Sequence, residues 1–156
     1  MATLQLSNTD ARLTFLAIQY HLARPGSELD HESGRPVESG LTSVTAALEP
    51  QLDKAVATIE LDGGQQAKLD SAMSGSINEL KTAQLLEGGG RTTIPAFAET
   101  LQRLFPEAAD DPEEALALAG HMLQLKRRIA VRAQPEAEVP AREKQPSWWQ
   151  VWKRRG

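Results

Sequence analysis

Proline and glycine residues divide this 156-residue chain into segments that are each long enough for one helix. Inside the segments, apolar residues recur every three or four positions, which is the spacing of a helix that buries one face. The breaks fall at Pro25-Gly26, Pro50, Gly63-Gly64, residues 88–90 and Pro106. The sequence therefore predicts a mainly α fold, with a single domain of about five helices.

The first and last predicted helices have the clearest ends. Residues 7–10 offer side chains that suit a helix N-cap, and Pro25-Gly26 ends the first helix. This helix is apolar on two sides, so we expect it to be the most buried element. In the last helix, Asp111 is the expected cap and Pro112 the first residue, and the two glutamates that follow favour the positive end of the helix dipole.

The segments between these two helices give weaker signals. Residues 25–39 are rich in turn-forming and charged residues, which predicts a long exposed loop. Pro50 either kinks its helix or begins a new one that runs to about Ala57. Small residues around Gly75 would let another helix approach closely, and the three glycines at 88–90 are expected to end the helix before them.

Two short segments resemble each other and predict a small sheet. Residues 2–6 (Ala-Thr-Leu-Gln-Leu) and residues 57–61 (Ala-Thr-Ile-Glu-Leu) alternate apolar and polar side chains, as half-buried strands do. Each is followed by a turn and then by the start of a helix. The sequence thus predicts a repeated strand–turn–helix unit and a minimal two-stranded β addition to the helical domain.

Charge is distributed unevenly along the chain. Residues 1–125 hold 8 Lys and Arg against 18 Asp and Glu, whereas residues 126–156 hold 9 against 3. The net charge of −4 therefore combines an acidic body with a basic C-terminal segment. Such a segment favours an anionic partner, or contact with the acidic body itself.

The basic segment contains two candidate sites. Residues 1–132 form the predicted helical domain, residues 133–146 a flexible linker with three prolines, and residues 147–156 a Trp- and Arg-rich tail. A secondary basic patch lies at the end of the last helix and comprises Lys126, Arg127, Arg128 and Arg132. The main candidate site is in the tail and comprises Trp148, Trp149, Trp152, Lys153, Arg154 and Arg155.

The tail residues suit three kinds of docking. Trp prefers the bilayer interface and basic residues are drawn to anionic lipids, so the tail resembles a short interfacial anchor. Trp and Arg also dominate binding hot spots, so the same residues would suit a groove in a partner protein. The third alternative is a tail folded onto its own domain or onto a second copy.

The sequence offers no chemistry typical of an enzyme. It has no cysteine, and its three histidines, His21, His31 and His121, lack the convergent partners of a metal site. The glycines at 88–90 lack the spacing of a phosphate-binding loop. We therefore expect no catalytic activity, no cofactor, no metal and no small-molecule substrate.

These observations favour a non-enzymatic accessory or adaptor protein. Its helical body would bind a protein partner or a second copy, while the tail docks on an anionic membrane surface or in a partner's groove. The alternative is a structural subunit of a larger complex, with the tail as its attachment peptide. Single-stranded nucleic acid is a less favoured partner because the body is acidic. With no secretory signal and no long apolar run, we expect a cytoplasmic protein, or one peripheral at the membrane.

Overall fold

A computed structural model describes residues 1–37, 40–82 and 94–132 of the chain. These ranges contain six α-helices, one 3-10 turn at Glu49–Gln51 and a two-stranded antiparallel sheet. The elements in chain order are β1 (Ala2–Ser7), α1 (Asn8–Ala23), α2 (Thr42–Leu48), β2 (Val56–Leu61), α3 (Gly63–Thr82), α4 (Pro95–Leu104), α5 (Pro106–Asp110) and α6 (Pro112–Arg132). The predicted mainly α fold with a minimal β addition is confirmed.

The two similar segments of the sequence pair with each other as β1 and β2. The strands run antiparallel, with Leu4 opposite Ile59 and Ala2 opposite Leu61. Alternate residues of both strands are buried, so one face of the sheet lies on the core and the other faces solvent. Each strand leads into a helix, and these two helices, α1 and α3, pack against each other.

Helix α1 lies at the centre of the fold because it is apolar on two sides. Leu13, Leu16 and Ile18 are each no more than 1% exposed, and the helix contacts α2, α3, α4 and both strands. Its N-cap is Ser7, whose hydroxyl accepts a hydrogen bond from the Asp10 amide over 3.2 Å. The cap therefore turns the chain directly from strand into helix.

The small residues of α3 admit a close contact with α1, as the sequence predicts. The ring of Tyr20 lies over Gly75, where an added Cβ would be only 2.7 Å from Tyr20 Cζ. The same ring meets Phe97 of α4 edge-on, with 6.0 Å between ring centroids. Three helices are therefore joined at one point.

Both prolines that open helices after α4 occupy a first helical turn. Asp111 caps α6 as predicted, because its side chain accepts a hydrogen bond from the Glu113 amide over 2.9 Å. Pro106 follows the end of α4, as expected, but it also begins the short helix α5. A proline suits both roles, since its fixed φ and missing N–H are compatible with a first helical turn.

Of the two alternatives at Pro50, a new helix that runs to about Ala57 does not form. Pro50 lies in a 3-10 turn, and β2 starts at Val56. The Gln51 side chain explains the change of direction. Its Nε2 donates to the Thr58 carbonyl over 3.0 Å, and its Oε1 accepts from the Thr58 amide over 2.9 Å.

The segment expected to be a long exposed loop is mostly exposed but has a defined structure up to residue 37. Asp30 accepts hydrogen bonds from the amides of Glu32 and Ser33, and those bonds hold the pKa of its carboxyl below the usual value. Leu29 and Pro36 form an isolated antiparallel bridge. The glycines 88–90, the linker and the tail lie outside the described residues.

Candidate functional site

The tail that carries the main candidate site follows the end of α6. Trp148, Trp149, Trp152, Lys153, Arg154 and Arg155 all lie outside the described residues. The structure does place the residue from which this segment departs, because α6 ends at Arg132. Arg132 Nη1 donates to the Gln5 carbonyl of β1 over 3.2 Å, so the end of α6 lies beside the sheet.

The secondary basic patch is largely bound to the body. Arg128 makes a two-pronged contact with the Asp10 carboxylate, with distances of 2.9 and 3.0 Å. Lys126 Nζ lies 3.3 Å from Asp70 Oδ1 of α3. These contacts join α6 to α1 and to α3, and the Arg132 bond joins it to β1. Three of the four residues therefore stabilise the domain.

Arg127 differs from the other members of this patch. It is exposed and makes no ion pair or side-chain hydrogen bond with another described residue. Its helical neighbours Lys126 and Arg128 face the body on either side of it. Arg127 and Arg132 thus lack a carboxylate partner among the described residues, and two cations are too few to attract an anionic surface strongly.

A carboxylate in the segment after α1, that of Glu28, joins His21 of α1 to the start of α2. His21 Nε2 lies 3.1 Å from Glu28 Oε2, and both side chains are largely buried. The other oxygen, Glu28 Oε1, accepts hydrogen bonds from the amide and hydroxyl of Thr42 over 2.9 and 3.2 Å. Burial alone would raise the pKa of Glu28, but the hydrogen bonds to His21 and Thr42 outweigh it and lower the pKa below the usual value.

A groove with an acidic rim lies at the opposite end of α6 from the basic patch. It has a volume of about 270 Å³ and runs between α4, α5 and α6. Leu104, Phe105 and Leu118 supply apolar lining, while Glu107 and Glu114 lie at its edge with exposed side chains. We refer to it as the acidic groove.

Most charged residues around the acidic groove are carboxylates, and His121 also contributes to its lining. Residues 104–125 contain five Asp and Glu residues and no Lys or Arg. All five carboxylates lie in residues 107–114, at the turn between α5 and α6, and all are exposed. Because like charges in a small region add, this end of the molecule is a negative surface around an apolar floor.

Among the described residues, no group of three or more His, Cys, Asp or Glu side chains could hold a metal ion. No helix in those ranges is long and apolar enough to cross a membrane. Comparisons of the chain with protein-family models, with curated proteins and with solved structures found no match. The possible roles of the site therefore follow from its charges and its shape.

Sequence reasoning missed the His21–Glu28 pair and the acidic groove. The pair joins residues seven positions apart, outside the spacings at which helical side chains meet. It forms only because the chain turns back after α1. The groove did have a signal, because residues 107–114 combine five carboxylates with neighbouring apolar residues. In the structure Asp111 caps α6, and three of the other carboxylates lie in the first turns of α5 and α6, where the helix dipole favours them: Glu107, Glu113 and Glu114.

Proposed function

We propose that this chain is a non-enzymatic adaptor whose folded body carries the Trp- and Arg-rich tail to an anionic membrane surface. One observation supports it above the others: three of the four basic residues at the end of α6 are bound to the body. The carboxylates of Asp70 and Asp10 offset the charges of Lys126 and Arg128. Five further cations lie in the sequence beyond Arg132, where the three tryptophans also lie.

The tail combines charge attraction with apolar burial, and the two together should hold the protein on a membrane. Each basic residue near an anionic leaflet contributes about 1 kcal/mol, and the charge attraction falls off within a Debye length. Tryptophan side chains bury apolar surface at the level of the headgroups. Neither three cations nor three tryptophans hold a protein firmly by themselves, so binding should need both.

Flotation of the full-length protein with liposomes tests the proposal. Wild type should float with anionic vesicles and should bind neutral vesicles poorly. Replacing Trp148, Trp149 and Trp152 by Ala should abolish binding at any salt concentration. Reversing Lys153, Arg154 and Arg155 to Glu should weaken it strongly. Raising the salt should weaken wild type as well, because the Debye length falls from about 10 Å at 0.1 M to about 3 Å at 1 M.

The exposed cation of the basic patch provides a matched control. Arg127→Glu reverses one charge on the body and leaves the tail unchanged, so flotation should change little. If wild type ignores anionic liposomes but captures a protein partner in a Trp-dependent way, the membrane proposal is wrong. The tail would then act as an attachment peptide.

A further inference from the structure

We infer that the acidic groove is a docking site for residues 147–156 of the same chain. The groove combines an apolar floor with a rim of carboxylates, and the tail combines apolar tryptophans with three adjacent cations. The two surfaces are complementary in both properties. A volume of about 270 Å³ lies just below the range of about 300–1,000 Å³ typical of small-ligand pockets, so it suits one large aromatic side chain.

Charge distinguishes this groove from its neighbours. The groove between α3 and α6 is larger, at about 480 Å³, and lies nearer to the end of α6. Its charged groups, Asp70 and Lys126, neutralise each other at 3.3 Å. The groove between α1, α2 and α4 contains Glu49 and Glu99 but also Arg103, which lies 4.0 Å from Glu49, so its lining is less negative than that of the acidic groove. The acidic groove is lined by Glu107 and Glu114 and by no Lys or Arg.

The length of the chain permits docking within one molecule. From Arg132 back to Leu118, α6 rises about 21 Å, at about 1.5 Å per residue. Residues 133–147 separate the end of α6 from Trp148. Fully extended, a chain of 15 residues spans about 50 Å. The linker is therefore long enough to reach the groove.

Tethering makes a weak contact sufficient. A short flexible linker gives the tail an effective concentration of about 1 mM at the groove. A free peptide that bound with a dissociation constant of about 0.5 mM would then be docked in about two-thirds of the molecules. The docked tail withholds its tryptophans from other surfaces, so the groove competes with whatever partner the tail binds.

Tryptophan fluorescence of the full-length protein tests this in buffer without lipid. All three tryptophans lie in the tail, so their emission reports on that segment alone. The probe is acrylamide quenching at low salt, with a synthetic peptide of residues 147–156 as the exposed reference. The groove holds one large aromatic side chain, so docking should shield about one of the three tryptophans. The quenching constant of wild type should therefore lie about a fifth below that of the peptide, because about two-thirds of the tails are docked. It should approach the peptide value at 1 M salt.

Charge reversals locate the docking site. The double variant Glu107→Lys/Glu114→Lys should raise the quenching constant to the peptide value. Glu32→Lys/Glu60→Lys is the matched control, since it changes the net charge equally at two exposed carboxylates away from the groove. It should quench like wild type. Reversing Lys153, Arg154 and Arg155 to Glu should also release the tail. These changes do not alter the body, so they test the inference even if the groove variant fails to fold.

Three outcomes would overturn the inference. Wild type quenched as strongly as the peptide would mean that the tail is not docked. Protection that survives Glu107→Lys/Glu114→Lys would place the tail elsewhere on the body. Protection that disappears on dilution would mean that the tail binds a second copy.

The fluorescence result does not depend on membrane binding, so it can fail or succeed independently of flotation. One consequence does rest on the proposed function. Glu107→Lys/Glu114→Lys should bind anionic liposomes about threefold more tightly than Glu32→Lys/Glu60→Lys, because the groove no longer competes for the tail.

Discussion

Tyr20 of α1 packs over Gly75 of α3, because the glycine leaves room for the tyrosine ring. An added Cβ at position 75 would lie 2.7 Å from Tyr20 Cζ and 2.8 Å from its hydroxyl oxygen. The ring is also in edge-on contact with the fully buried Phe97, which limits its movement. Glycine is therefore required here for space.

Gly75→Ala should destabilise the protein by about 1 kcal/mol. Overpacking a core contact costs about 1–3 kcal/mol, and the better helix propensity of Ala offsets about 0.5–1 of it. Gly120 in α6 is the matched control, because nothing lies within 4 Å of its added Cβ. Gly120→Ala should therefore stabilise the protein slightly. Urea denaturation measures both, and a Gly75→Ala variant more stable than wild type would contradict the packing argument.

Glu28 should make the stability of the fold sensitive to acid. The pKa of Glu28 is lowered in the folded state, so its ionised carboxylate stabilises the fold. This stabilisation is fully present above the unfolded pKa of 4.5 and is lost as the pH falls through the folded pKa. Glu28→Gln removes this titration. Between about pH 5.5 and pH 3, the free energy of unfolding should therefore fall less in the variant than in wild type.

The same substitution should cost about 1–3 kcal/mol at neutral pH, because it weakens a charged hydrogen bond to His21. Glu60→Gln, at an exposed site on the outer face of the sheet, is the control and should leave the acid dependence as in wild type. Equal acid dependence of wild type and Glu28→Gln would show that this carboxylate does not stabilise the segment between α1 and α2.

Gln51 should protect the outer edge of β2. Its amide group takes the place of a neighbouring strand at Thr58, with bonds of 2.9 and 3.0 Å. Gln51→Ala removes a bond worth about 1 kcal/mol, so hydrogen exchange of the Thr58 amide should quicken about fivefold. The Ile59 amide points the other way, towards β1, and is the internal reference. Unchanged exchange at Thr58 would mean that other bonds protect this edge.

Neighbouring arginines of α6 should differ in their effect on stability. Arg128 holds Asp10 through two bonds, whereas Arg127 faces solvent. Arg128→Ala should destabilise the protein by about 0.5–1 kcal/mol, as expected for a partly exposed two-pronged pair. Arg127→Ala removes the same charge from the same helical turn and should change stability by less than about 0.5 kcal/mol. Equal effects in thermal melts would mean that Arg128 acts through the helix dipole alone.

Local signals were sufficient to predict the two ends of α1, the start of α6 and the two strands. Asp111 and Pro112 define the start of α6 through capping, which depends only on adjacent residues. The strands β1 and β2 could be predicted in the same way, because the alternation of apolar and polar residues lies within each short segment. The sequence also placed the closely approaching small residues around Gly75, although it did not identify Tyr20 as their partner.

Features that depend on distant residues could not be predicted. The turn after Pro50 leads into a strand because the Gln51 side chain hydrogen-bonds to Thr58. Local helix and strand propensities do not predict a hydrogen bond between these two residues. Likewise, the sequence alone shows the basic patch as one cluster of positive charge. Its division into bound and free residues depends on Asp10 and Asp70, which lie on other helices. The role of the tail stays a prediction.

The pairing of β1 with β2 bears on how fast the chain folds. Ala2 meets Leu61 and Ser7 meets Val56, so each ladder contact joins residues about 50–60 positions apart. The intervening chain must close as one large loop before the sheet gains any hydrogen bond, and that closure reduces its conformational entropy. Helices α3 and α6 add a second long-range contact. This mainly helical domain should therefore fold more slowly than a helical bundle of its size that is built from neighbouring hairpins.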